Sequence, residues 1–187
     1  MKIKIVLVVA VFFVANSYAQ ISKGNWLVGG NGEFQRQKTT YSTTEISSTQ
    51  LSISPKIGHF ILDRFAIGLY TNYSRTVSKS NINRSRYSIF GVGPFLRYYL
   101  LNIEKNANIN LIVEGNGAYN VHTNNSISVK SDYLSYSILT GPVIFFNSSV
   151  GIEFLFGYKG ISELKNDTRS SGIHFNIGLQ VALEREK

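Results

Sequence analysis

Strict alternation of apolar with small or polar residues limits this chain more than any other feature. In residues 51–73, Leu51, Ile53, Pro55 and Ile57 share one face while Ser52, Ser54, Lys56 and Gly58 share the other. That period of two belongs to a pleated strand. After a tight turn at Leu62-Asp63-Arg64, Phe65, Ile67, Leu69, Thr71 and Tyr73 alternate with Ala66, Gly68, Tyr70 and Asn72. Such a hairpin fits a soluble sandwich, its apolar face on a core, or a membrane barrel, its apolar face on lipid.

The pattern recurs along the chain. Trp26, Val28, Gly30, Gly32 and Phe34 oppose Leu27, Gly29, Asn31 and Glu33 in a strand predicted over about residues 24–35. Phe90, Val92, Pro94, Leu96 and Tyr98 head a fourth strand, and Leu111, Val113, Tyr119 and Val121 a fifth. Leu134 to Ile144 and Val150 to Tyr158 supply two more, and Ile173, Phe175, Ile177, Leu179, Val181 and Leu183 close the series. Eight strands result, joined by three short turns on one side. The polar segments 36–50, 75–86, 122–132 and 160–171 form four longer loops on the other. The first of these contains QKTTYSTTEISSTQ, rich in Ser and Thr without Gly or Pro, and reads as a flexible excursion.

Residues 1–19 are of a different kind. Lys2 and Lys4 precede an unbroken apolar run over residues 5–15 and then Asn16-Ser17-Tyr18-Ala19. A charged start, an apolar stretch shorter than the ~20 residues of a spanning helix, and small residues at 17 and 19 predict a secretory signal cleaved before Gln20. The mature domain is then residues 20–187, one domain with room for a sizeable core. No cysteine occurs, so no disulfide staples an exported chain. No later window holds ~20 apolar residues, so any membrane crossing must use strands. The formal charge of +8 falls to +6 without Lys2 and Lys4 and is dispersed, which argues against a nucleic-acid surface. His59, His122 and His174 are scattered without metal-ligand spacing, and no metal or cofactor is expected.

The sizes on the two faces decide between water and lipid. The small or polar face carries glycines, alanines and serines with a few charges, which suits the narrow lumen of an eight-stranded barrel. The bulky face suits hydrocarbon. In lipid each unpaired backbone group costs several kcal/mol, so the strands must close into a ring. The expected fold is all-β, an eight-stranded antiparallel up-and-down transmembrane β-barrel whose strands of roughly 9 to 11 residues cross at a tilt. Pro55, Pro94 and Pro142 hold equivalent outward positions before the short turns. Phe34, Tyr73, Tyr119 and Tyr158 each end an ascending strand and read as an aromatic girdle.

The signal segment, GNWLVGG, SPKIGHFILDRFAIGLYTNY, the Gly-Pro strands and the closing GIHFNIGLQVAL together resemble the small outer-membrane β-barrel proteins of Gram-negative bacteria, the porin-like or OmpX-type family. The resemblance covers essentially all of the mature chain and specifies architecture better than activity. It implies an outer-membrane location, contact with outer-membrane lipid and lipopolysaccharide, and insertion by the barrel-assembly machinery. This chain departs from the family's frequent aromatic end, finishing Val181-Ala182-Leu183 before Glu-Arg-Glu-Lys.

Two groups of residues carry the functional reading. Lys56, Arg97, Glu114 and Glu153 point inward as candidates for a lumen ion-pair network, which either plugs the barrel or lines an ion path. Arg75, Lys79, Arg84 and Arg86 share one polar loop without an acidic residue and are candidates for contact with lipopolysaccharide phosphates. Some barrels of this kind are lipid A-modifying enzymes with a His and a Ser near the outer rim. His122 sits near that rim but has no evident carboxylate partner, and no catalytic residue is assigned. The expected role is non-enzymatic, in envelope structure or surface interaction, with a narrow porin for small solutes as the alternative.

Overall fold

The computed structural model describes residues 21–41, 44–80, 84–101, 108–124, 129–164 and 168–184; the expected signal and its cleavage point lie outside them. Eight strands follow in chain order: β1 (Trp26–Tyr41), β2 (Thr44–Leu62), β3 (Phe65–Ser80), β4 (Arg84–Tyr99), β5 (Ile109–Asn124), β6 (Val129–Phe145), β7 (Val150–Glu163) and β8 (Arg169–Leu183). Each pairs antiparallel with its sequence neighbours, and β1 meets β8 to close a barrel. One hydrogen-bonded row runs from Ala182 through Leu27, Gly58, Gly68, Phe95, Asn116, Ser137 and Lys159, returning to β8 at Gly172, ten residues higher. A stagger of that size on eight strands gives the tilt of roughly 35–45° usual for membrane barrels.

The faces divide as the alternation predicts. Ile138, Phe175, Ile177 and Leu179 point away from the axis and are more than half exposed, while Leu27, Phe95, Arg97 and Leu155 on the opposite face are buried. The three prolines explain the irregularities in the ladders. Pro55, Pro94 and Pro142 each stay paired on one side but fall in a two-residue gap on the other, because proline has no N–H to donate.

The strands are longer than a bilayer crossing requires, at 14 to 19 residues. The segments expected to be loose loops are strand: β1 runs on to Tyr41 and β2 starts at Thr44, and β3 and β4 extend to Ser80 and from Arg84. Missing Gly and Pro meant no breaker rather than freedom. Ser and Thr suit a two-sided wet ladder, with Ser52 Oγ donating to Ser74 Oγ at 3.0 Å and Ser48 and Ser78 hydroxyls 3.1 Å apart on the lumen side. The barrel therefore continues past the apolar belt as a polar β-tube.

The lower lumen, next to the short turns, is largely apolar. Leu27, Phe60, Ala66, Phe95, Tyr99, Ile112 and Leu155 form a dry plug, and Ile21, preceding the first strand, is buried against it. Ile21 is tied down by its carbonyl accepting from Arg64 N at 2.8 Å, while Gly24 N donates to Phe60 O at 2.8 Å. The turns are side-chain locked. Asn147 Oδ1 accepts from Ser149 N and Val150 N at 2.9 and 2.7 Å, and buried Asn110 bridges Leu101 and Leu111. Arg64 takes the left-handed conformation that the two-residue β2–β3 turn demands.

Candidate functional site

Set into this plug, four strands aim charges at one point. Lys56 on β2 donates to both Glu114 oxygens at 3.0 Å and reaches Glu153 Oε1 at 3.4 Å. Arg97 on β4 donates from Nε to Glu114 Oε2 at 2.8 Å, from Nη2 to the same oxygen, and from Nη1 to Glu153 Oε2 at 2.6 Å. Arg97 Nη1 also reaches Gln180 Oε1 at 2.7 Å, which accepts in turn from Tyr99 OH at 2.9 Å. All four charged side chains are buried, Arg97 completely, and the formal charges cancel. The ring of Phe95 lies 5.8 Å from Lys56 Nζ, and Phe95 and Leu155 stand one pleat higher than Arg97 and Glu153 on their strands, so apolar side chains flank the quartet as well as underlie it.

The four lumen candidates are thus one closed network, held by register: Arg97 faces Glu114 directly across the β4–β5 ladder. Above it lies a cavity of about 60 Å³ lined by Asn31, Asn72, Asn116, Asn176, Tyr70, Lys159 and His174 among others, room for a few waters. The aqueous vestibule therefore ends at the quartet.

Phe34, Tyr73, Tyr119 and Tyr158 all face outward and are exposed. Allowing for the rise of the ladder rows, they stand within roughly 4 Å of one height along the axis. Tyr119 also hydrogen-bonds Asp132. Above that level Arg75, Lys79, Arg84 and Arg86 lie on the β3–β4 ribbon rather than in a loop, all four exposed and facing outward, with Lys79 directly opposite Arg84 and Arg86 opposite Val77. The same register adds two cations that the loop reading missed. Arg36 and Lys38 on β1 align through Thr49 and Ser47 of β2 with Val77 and Lys79 of β3, so six cations cover the outside of β1–β4. They were invisible as a group because the alignment exists only once residues 36–50 are known to be strand. Above the girdle, the described outward side chains of β5–β7 are Val121, Thr123, Asp132 and Ser162, without a cation. On β8 the exposed Arg169 also faces outward, opposite Ser162 of β7.

His122 faces the lumen, its Nδ1 3.4 Å from Ser131 Oγ and its ring edge-on to Tyr87 at 5.2 Å. Among the described residues, no group of three His, Cys, Asp or Glu side chains could hold a metal ion.

No family model matches the chain, and no curated protein matches it. Two solved structures are similar in shape. Neisserial surface protein A has a TM-score of 0.53 at 13% identity, covering 85% of this chain and 97% of its own. The outer membrane protein OprG from Pseudomonas aeruginosa has a TM-score of 0.51 at 12% identity, covering 90% of this chain and all of its own. At such low identity what is shared is architecture. In fold, the chain is a small eight-stranded outer-membrane-type β-barrel, the porin-like, OmpX-type architecture.

Proposed function

We propose that this protein is an integral outer-membrane barrel with a closed lumen, serving envelope structure or surface interaction, and exported by cleavage of residues 1–19. The observation that carries the reading is the inverted distribution of side chains, with bulky apolar groups outside and a compensated charge quartet set in a dry plug inside. The belt supplies the hydrocarbon contact, and the plug leaves no water path through the lower half. Planar-bilayer recording of the purified barrel should show no steady channel current; a sustained open level would favour the narrow porin. Insertion is expected to depend on the barrel-assembly machinery.

The six-cation cluster on β1–β4 supports contact with lipopolysaccharide. Guanidinium groups bind phosphate bidentately, and Arg36 and Arg75 stand just above the aromatic level, where headgroup phosphates begin. Replacing Arg75, Lys79, Arg84 and Arg86 together by Gln should lower co-purifying lipopolysaccharide several-fold while leaving heat-modifiable gel migration unchanged. Unaltered lipopolysaccharide content would leave the cations a solvating role only.

A further inference from the structure

The barrel does not close over its whole height. The β1–β8 ladder has six rungs, from Trp26 opposite Leu183 to Asn31 opposite Gly178. Above them residues 32–41 of β1 and residues 169–177 of β8 share none, although β1 stays paired to β2 up to Tyr41 and β7 to β8 up to Arg169. Exposure marks the same gap: both faces of β1 are exposed over residues 32–38, both faces of β8 over residues 169–173, and Ile173 is 92% exposed. The seam begins below the aromatic girdle and rises past it.

A cavity of about 220 Å³ occupies the β7–β8 side of this seam. Ser171 and Ile173, which face outward, line it together with Lys159, Ser170 and His174, which face the lumen, so the space passes around the free edge of β8. Lys159 and His174 also line the lumen cavity over the charge quartet. Among the described residues no carboxylate lies within ion-pair distance of Lys159; Glu33, across the seam on β1, acts on it and on His174 only at longer range, and His174 is hydrogen-bonded to Asn176. Below the cavity, the outer face of β8 continues as the exposed apolar strip Phe175, Ile177 and Leu179.

We propose that the seam is a lateral binding site for an anionic lipid, its carboxylate or phosphate head seated at Lys159 and its acyl chain lying along the outer strip of β8. The geometry separates the two halves of such a ligand. A half-buried ammonium sits at the height of the girdle, where a headgroup ends, and the apolar strip descends from there into the hydrocarbon. Edge-to-edge pairing with another strand is disfavoured by Arg36 and Lys38, which charge the β1 edge. The proposal rests on the membrane assignment above and adds an occupant to it.

Equilibrium binding of oleate to the folded barrel in an uncharged detergent tests it. Lys159→Gln should weaken oleate binding roughly tenfold or more, since it removes a charge-assisted hydrogen bond, and Lys159→Arg should retain it. A side chain added at Gly172 meets no atom within 4 Å, so Gly172→Trp can fill the cavity without distorting the strand and should abolish binding. The methyl ester of oleate, lacking the charge, should bind the parent barrel no better than the Lys159→Gln variant binds oleate. Equal oleate binding by the parent, Lys159→Gln and Gly172→Trp barrels would overturn the site, and inorganic phosphate competing as well as oleate would remove the role of the tail. Heat-modifiable migration of the same variants reads the membrane barrel separately, so loss of the site and loss of the barrel are distinguishable.

Discussion

Arg97→Met should destabilise the folded barrel by about 3–5 kcal/mol, because it leaves Glu114 and Glu153 buried against a single ammonium. The cost is that of uncompensated charge, not of the ion pairs themselves. A buried quartet is worth little more than apolar side chains of the same volume, whereas three of its four members carry a net charge into a site almost closed to solvent. The pairing pattern predicts which second change relieves this. Lys56 keeps both Glu114 oxygens at 3.0 Å without help from Arg97, so Arg97→Met with Glu153→Gln leaves one neutral pair and should recover most of the loss. Arg97→Met with Lys56→Met should be worse than either alone. Urea unfolding in lipid vesicles, followed by the folded and unfolded bands on a gel, measures all four. If Arg97→Met proves neutral and still blocks current, the quartet has no part in holding the lumen shut.

The second large effect separates neighbours on β4. Phe95→Ala should cost about 3–5 kcal/mol, since its ring is buried in the plug and packs beneath Lys56, and its removal leaves a cavity in a site that cannot collapse. Leu96→Arg, one residue further on, should cost about 2–4 kcal/mol for the opposite reason: it places a charge against acyl chains near mid-depth of the bilayer. The same arginine at Ser88, facing outward above the girdle on the same strand, should cost much less, only the exposed like charge of Arg75 directly opposite opposing it. A Leu96→Arg barrel as stable as the parent would mean that this face meets water.

These predictions also mark how far the chain could be read from its residues. A period of two is local, so strand count, facing and the inward placement of Lys56, Arg97, Glu114 and Glu153 were all legible. That the four converge is a matter of register, and partly legible because Arg97 and Glu114 lie on consecutive strands; Glu153, two strands further on, joins through the curvature of the ring. The dry plug was harder to see. Leu27, Phe95, Ile112 and Leu155 alternate with other bulky residues, and an apolar residue between apolar neighbours carries no sign of which solvent it avoids. The outer ladders were misjudged because Ser- and Thr-rich sequence is compatible with both loop and wet strand, and cross-strand pairing decides. The seam left no trace in sequence, since an unmade rung is a property of two segments 140 residues apart.

The six rungs between β1 and β8 also bear on how the molecule is made and lost. Every other junction joins strands adjacent in sequence and can zip outward from its turn, whereas this one must bring together the two ends of the domain, at the greatest loop-closure cost in the fold. Ring closure is therefore expected to be the last step of assembly. Being also the shortest junction, it is where heat or mechanical pulling should first part the wall, turning the cylinder into a curled sheet before any hairpin melts.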